Sequence, residues 1–65
     1  MKVKAAKILW LAALDYVTEG KVYGVYNPTA TGFGYIDSDD DCHIFIDFGN
    51  DDGDGFHGVK WEVVE

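Results

Sequence analysis

The sequence predicts a mainly β protein, a small closed barrel of about five short strands. Apolar and polar residues alternate after residue 20, and the alternating segments recur at roughly ten-residue spacing with turn-forming residues between them. Closure of the sheet would also remove exposed edges, along which strands otherwise pair with other chains. At 65 residues, the chain is expected to form a single domain, residues 1–65, with one small core.

Four of the strands are predicted in the last two thirds of the chain. They cover residues 21–27, 32–37, 43–48 and 59–64. Asn27 and Pro28 end the first of them, because proline cannot donate a hydrogen bond to a sheet. The segments between the later strands are rich in Asp and Gly, which favour turns.

Alternation also predicts which side chains of these strands face the core. Two inward sets are expected: Ile44, Ile46 and Phe48 on one strand, and Val59, Trp61 and Val63 on the last one. Glycines within strands indicate sharp coiling or a close approach of two backbones. We expect such points at Gly32 and Gly34, and less clearly at Gly24.

The first twenty residues allow two interpretations. Residues 1–7 alternate weakly, which favours a strand, whereas residues 5–17 have high helix propensity and contain no helix breaker. We expect a short first strand followed by a compact helical segment. The run ILWLAAL, from Ile8 to Leu14, is apolar on all sides, so it should cover one barrel end or join copies of the chain as a homo-oligomer contact.

Nothing in the sequence predicts a membrane-bound or disulfide-linked protein. The apolar run is much shorter than the roughly 20 residues that span a bilayer, and Asp15 follows it directly. The lone cysteine, Cys42, cannot form an internal disulfide. We therefore expect a cytoplasmic protein without a membrane partner.

The charge of the chain is strongly unbalanced. Five basic residues stand against 12 acidic ones, and the formal net charge is −7. No Lys or Arg lies between Val22 and Val59, a stretch that carries eight aspartates. Such a surface attracts basic proteins and repels the phosphates of nucleic acids, so a nucleic-acid partner is not expected.

Two segments of the chain, TGFGYI at 31–36 and IFIDF at 44–48, resemble the strand motifs of cold-shock domains in order, spacing and aromatic placement. The resemblance implies an OB-type barrel that binds single-stranded nucleic acid. It also implies that bases stack on Phe33, Tyr35 and Phe45.

The chain departs from the cold-shock pattern at its basic positions. Thr31 stands at the motif lysine, and Asp47 stands at the motif histidine. Phosphate contacts supply most of the non-specific affinity for nucleic acid, and these departures remove them. Cold-shock-like binding of single strands is therefore our alternative hypothesis.

A second resemblance covers most of the chain from residue 15 onward. VTEGKVYGV at 17–25, the acidic turn IDSDDD at 36–41 and KWEVVE at 60–65 are similar to small phage and prophage proteins with a pattern LTxGKxYxV, then an acidic turn, then EVVE. The resemblance implies an SH3-like small barrel, and the apolar run from Ile8 to Leu14 is unusual against its pattern. The short N-terminal helical segment is expected from the residues themselves. The resemblance offers no catalytic residues.

The sequence indicates neither an enzyme nor a cofactor. Cys42 and His43 are adjacent on a predicted strand, so their side chains point to opposite faces and cannot form a catalytic pair. The segment NDDGDG, residues 50–55, follows the first half of a calcium loop. Trp61 stands where a glutamate should close that site, so calcium would be held weakly at most, and no metal is expected.

The leading hypothesis is a non-enzymatic, acidic protein-interaction module. Its expected partner is a basic surface of a host protein, and a phage-encoded inhibitor that presents aspartates in place of DNA phosphates is one form of it. Partly exposed aromatic side chains are expected to anchor the partner: Tyr23, Tyr35 and Phe45. The carboxylates expected to contact it are Asp37, Asp39, Asp40, Asp41, Asp51, Asp52 and Asp54.

Overall fold

A computed structural model describes residues 1–49 and 56–65. This part of the chain contains five strands and one short 3₁₀ helix, which follows the first strand. The strands are β1 Lys2–Ile8, β2 Val22–Gly24, β3 Phe33–Asp37, β4 His43–Asp47 and β5 Val59–Val63, and the helix is Leu11–Asp15. The predicted mainly β class is confirmed, as is the order of a strand and then a helical segment at the N-terminus.

The strands form two antiparallel sheets. One has the order β2-β1-β5, and the other is the β3–β4 hairpin. Tyr26, just beyond β2, forms an isolated bridge with Tyr35 of β3, with backbone hydrogen bonds of 2.7 and 3.0 Å in the two directions. Within the described residues the sheets do not close into a barrel, so the predicted closure is not found.

The inner faces of both sheets share one core. Its buried apolar residues are Val3, Ala5, Ala13, Val17, Tyr23, Ile36, Ile46, Phe48, Val59 and Trp61. The inward positions predicted on the third and last predicted strands are confirmed, except that Ile44 is only partly buried and Val63 is 47% exposed. Val63 ends β5, an edge strand, so less of the molecule covers it.

Two of the three glycines singled out in the sequence lie at close approaches. A Cβ atom on Gly32, whose φ is +96°, would lie 2.5 Å from Cα of Gly49, and one on Gly34 would lie 2.5 Å from Cγ1 of Val25. A Cβ atom on Gly24 would meet nothing within 4 Å. The expected close approach is confirmed for Gly32 and Gly34 and is not found for Gly24, which lies on the edge strand β2.

The apolar run of residues 8–14 covers the core only in part. Ala13 is buried, Ile8 is partly buried against the core, and the Trp10 ring lies directly over Gly58, but the three leucines of the run remain open to solvent. Leu11 is 84% exposed and Leu14 is 54% exposed. Among the described residues, no helix has the length and apolar character needed to cross a membrane.

Candidate binding surface on the β3–β4 hairpin

The outer face of the β3–β4 hairpin carries two rows of side chains. Gly34, Ile36 and Ile46 lie on the buried side, so the alternate positions of both strands point outward. The outward residues of β3 are Phe33, Tyr35 and Asp37, and opposite them on β4 lie Asp47, Phe45 and His43. Each row therefore has an aspartate at one end, and the two aspartates lie at diagonally opposite corners.

The rings of this surface contact one another continuously. The centroids of Phe33 and Phe45 are 5.6 Å apart with parallel planes, and those of Tyr35 and Phe45 are 5.0 Å apart. Phe56 stacks on both phenylalanines, at 6.0 and 5.8 Å. All these distances fall in the range of aromatic pairs that attract each other.

The cluster continues past the hairpin to Tyr26. This ring stacks on His43 at 5.3 Å, and His43 in turn lies 6.3 Å from Tyr35. We call the six rings the aromatic face: Tyr26, Phe33, Tyr35, His43, Phe45 and Phe56. The aromatic face is larger than strand pairing in the hairpin needs, because two of its rings, Tyr26 and Phe56, lie outside the paired strands β3 and β4.

The aromatic face is open to solvent. Tyr26 is 48% exposed, Phe56 43%, Phe45 40% and Tyr35 39%. Contiguous exposed apolar surface of this kind marks an interaction site more often than a surface of scattered hydrophobic residues does. The described part of the chain has no pocket, so a partner of this surface must lie on it and not in a cavity.

Hydrogen bonds hold the side chains of Asp37 and Asp47, which we call the corner carboxylates, in place. The Tyr26 hydroxyl donates to Oδ2 of Asp37 at 2.8 Å, and Nδ1 of His43 lies 2.6 Å from Oδ1 of Asp37. The hydrogen bond to Asp37 raises the pKa of Tyr26, because ionisation would place two anions side by side. At the other corner, the Gly49 N–H donates to Oδ1 of Asp47 at 3.1 Å.

Asp39, in the turn between β3 and β4, is engaged within the fold. Its carboxylate accepts hydrogen bonds from Lys21 Nζ at 2.6 Å, Thr18 Oγ1 at 2.6 Å and the Tyr23 hydroxyl at 3.0 Å. Chiefly the bond from Lys21, followed by that from Thr18, lowers the pKa of Asp39. This aspartate therefore ties the hairpin turn to the region around β2, and its expected role in partner binding stays a prediction.

The neighbouring aspartates shape the same turn. The Ser38 hydroxyl donates to Oδ1 of Asp40, and this bond is the main reason why the pKa of Asp40 is lowered. Asp41 has φ of +62° and donates its N–H to the Ser38 carbonyl at 3.0 Å. Cys42 is exposed beside them, and the Asp40 charge raises the pKa of its thiol.

The expected exposure of the aromatic anchors is confirmed for Tyr35 and Phe45 and is wrong for Tyr23. Only 5% of Tyr23 is exposed, because its ring packs edge-on against Trp61 at 5.9 Å and its hydroxyl bonds Asp39. Three further expected contact residues lie outside the described residues, together with the calcium-like segment at 50–55: Asp51, Asp52 and Asp54.

Sequence reasoning missed three members of the aromatic face: Tyr26, His43 and Phe56. A signal existed for Tyr26, since alternation placed it opposite Tyr23, and one existed for His43, which shares its parity with Phe45. Phe56 carried no such signal, because it lies outside any predicted strand. Among the described residues, no group of three or more His, Cys, Asp or Glu side chains gathers to hold a metal ion.

In comparisons with known proteins, no family model, curated protein or solved structure matches the chain. The two sequence resemblances therefore stay resemblances.

Proposed function

We propose that this chain is a non-enzymatic protein-interaction module that binds a basic surface of another protein through its aromatic face. One observation carries the proposal: half-exposed rings form a continuous surface with a fixed carboxylate at each of two opposite corners. Aromatic residues are the typical anchors of protein interfaces. Carboxylates around them steer a basic partner and suppress other partners.

Folding alone does not account for these rings. The core is built from the opposite side of the same two strands, chiefly by Ile36 and Ile46, both of which are fully buried. An outward Phe45 adds little to that core, and polar side chains at such positions would keep the surface soluble. A partner that covers the rings would remove their apolar area from water, at about 25 cal/mol per Å².

The SH3-like barrel implied by the second resemblance remains our proposal for the fold family. Two pairings support it: the first strand pairs with the last one, and the bridge of Tyr26 to Tyr35 joins the two sheets. Together they place the strands around the core in the neighbour order β5, β1, β2, β3, β4. The OB-type barrel is the alternative.

The partner class that fits the charge is a host protein that itself binds nucleic acid. Such proteins carry basic surfaces shaped for phosphates, and a chain with a net charge of −7 competes for them. A phage-encoded inhibitor would act in this way, with Asp37 and Asp47 in the place of phosphates. Binding should weaken steeply with added salt, because exposed charges are screened.

The test is affinity capture of a partner on the immobilised chain, followed by measurement of its affinity for variants. Phe45→Ala should weaken binding at least about tenfold, the effect of losing an aromatic anchor at an interface. Leu11→Ala is the matched control, because Leu11 is an exposed apolar residue of the 8–14 run and is not part of the aromatic face. If Leu11→Ala weakens binding and Phe45→Ala does not, the contact surface is the 8–14 run and the proposal is wrong.

Cold-shock-like binding of single strands is the second candidate. It is favoured by one observation: Phe33, Tyr35 and Phe45 lie in contact on one outward face, as that resemblance requires. Filter binding of short oligonucleotides at low salt separates the two functions. Retention that Phe45→Ala abolishes would favour the second candidate, whereas no retention favours the first.

A further inference from the structure

We propose that the element of the partner that lies on the aromatic face is an extended segment with arginine at alternate positions. This inference rests on the proposed function and names the chemistry of its partner. It follows from the spacing of the two corner carboxylates, the rings between them and the distribution of cations in the fold.

The spacing of the corner carboxylates matches an extended chain. Asp47 of β4 lies opposite Phe33 of β3, and Asp37 lies four residues after Phe33 at the end of β3. The two aspartates are therefore about 13 Å apart along the strand direction. In an extended peptide, side chains on one face repeat every second residue, and positions i and i+4 are also about 13 Å apart. A helix spreads such positions over only about 6 Å.

The rings between the carboxylates suit a guanidinium group. Tyr35 and Phe45 face each other at the middle of the hairpin, with their centroids 5.0 Å apart. Position i+2 of the bound segment falls on this pair, where a planar guanidinium stacks on an aromatic face. Arginine fits better than lysine also at the corners, because its fork binds a carboxylate with two parallel hydrogen bonds.

The fold leaves the charge of this surface available to a partner. Lys21 is bound to Asp39 in the turn, and the other four lysines belong to β1 and β5. Of the groups on the aromatic face, His43 alone can carry positive charge, and it contacts only one of the two aspartates, Asp37. Asp47 therefore has no cationic neighbour among the contacts that the structure describes.

Hydrogen bonds also prepare both carboxylates for binding. Asp37 accepts from Tyr26, and Asp47 accepts from the backbone of Gly49. Side chains that are already held in place lose less conformational entropy on binding, which favours affinity. Asp47→Asn keeps an acceptor oxygen for the bond from Gly49, so it removes the charge and retains the local structure.

The experiment compares two labelled peptides with the full chain by fluorescence anisotropy. One peptide has arginines at alternate positions separated by threonine, and its isomer has the same arginines in one contiguous run. The alternating peptide should bind about tenfold more tightly, as expected when one well-placed charged contact is gained. Asp47→Asn should remove most of this preference. Asp15→Asn, the same change at an exposed residue of the 3₁₀ helix, should keep it.

Three outcomes would overturn the inference. If both isomers bind equally, or Asp15→Asn acts like Asp47→Asn, the attraction depends on net charge alone. If a single-stranded oligonucleotide binds the chain more tightly than the alternating peptide, the rings serve bases and not arginines. If neither peptide binds but a captured partner still depends on Phe45, the arginine segment is refuted and the proposed function survives.

Discussion

The two sheets of this protein have similar, apolar inner faces, but the side chains on their outer faces differ in chemical character. Inside, the three-stranded sheet contributes residues such as Val3 and Trp61, and the β3–β4 hairpin contributes Ile36 and Ile46. Outside, the pairing of β1 with its neighbours places one set of side chains on the surface of the three-stranded sheet: Lys2, Lys4, Lys7, Lys60, Val22 and Glu62. The hairpin instead presents the aromatic face with its two corner carboxylates.

The difference separates what folding requires from what it does not. A mixed, charged outer face like that of the three-stranded sheet is sufficient to keep a small β protein soluble. Half-exposed rings on the hairpin add nothing to solubility, so their presence needs another reason, and the reason that we propose is partner binding. The lysines of β1 and β5 also belong to the three-stranded sheet and not to the hairpin that carries the rings.

The largest effect should come from comparing the two faces of β4 directly. Ile46→Ala removes a fully buried side chain and should lower the free energy of unfolding by about 2–5 kcal/mol. Phe45→Ala removes a ring that is already partly in water and should cost less, about 0.5–3 kcal/mol. Urea denaturation followed by far-ultraviolet circular dichroism measures both.

Ile46→Val provides a graded control for that comparison. It should cost about 0.5–1.5 kcal/mol, which keeps the measurement possible if the alanine variant does not fold. If Phe45→Ala and Ile46→Ala lower the free energy of unfolding equally, the rings are needed for folding. The difference between the two outer faces would then no longer support a binding role for the rings.

A second comparison uses one glycine from each sheet region. Gly32→Ala adds a Cβ against the Gly49 backbone at a positive φ and should destabilise the protein by about 1–3 kcal/mol. Gly24→Ala adds a methyl group to open space on β2 and should stabilise the protein by about 0.5–1 kcal/mol. Thermal unfolding reports both, and a neutral Gly32→Ala would contradict the close approach of the hairpin ends.

The hydrogen bonds of Asp39, which tie the hairpin turn to the region around β2, should make stability depend on pH. Because the pKa of Asp39 is lowered in the folded state, its contribution to stability is present above its unfolded pKa of about 3.9 and is lost as the pH falls through the lower folded value. The pKa of Lys21 is raised, so its contribution is lost as the pH rises through that raised value.

Asp39→Asn should therefore flatten the acid limb of a plot of unfolding free energy against pH. Asp40, whose pKa is also lowered, keeps its own share of that limb. Asp15→Asn is the control with the same change in charge. An acid limb that is identical in the parent chain and in Asp39→Asn would contradict a stabilising role for this carboxylate.

The smallest effect concerns the outer face of the three-stranded sheet. Lys7 and Lys60 lie directly opposite each other on β1 and β5, and like charges in such a pair repel. Lys60→Glu should stabilise the protein by about 0.2–1 kcal/mol, which thermal unfolding at low salt can resolve. The effect should fade at high salt, and a salt-independent gain would point to another cause.

The sequence by itself determined the mainly β class, the order of elements and which residues of each strand share a face. Alternation in TGFGYID and HIFIDF already separates Phe33, Tyr35 and Phe45 from the buried isoleucines, since a strand has only two faces. The acidic composition of the middle of the chain is likewise a property of the sequence alone.

Only the tertiary structure decided which face of β2 meets the core and which residues from distant parts of the chain come together. Parity placed Tyr23 and Tyr26 on opposite sides of β2 and its continuation, but it could not tell which ring would pack on Trp61. Alternation also could not predict that Phe56, from a distant part of the chain, stacks on Phe33, or that Asp39 accepts a hydrogen bond from Lys21. These outcomes depend on contacts between residues far apart in sequence, and a local pattern of alternation carries no information about such contacts.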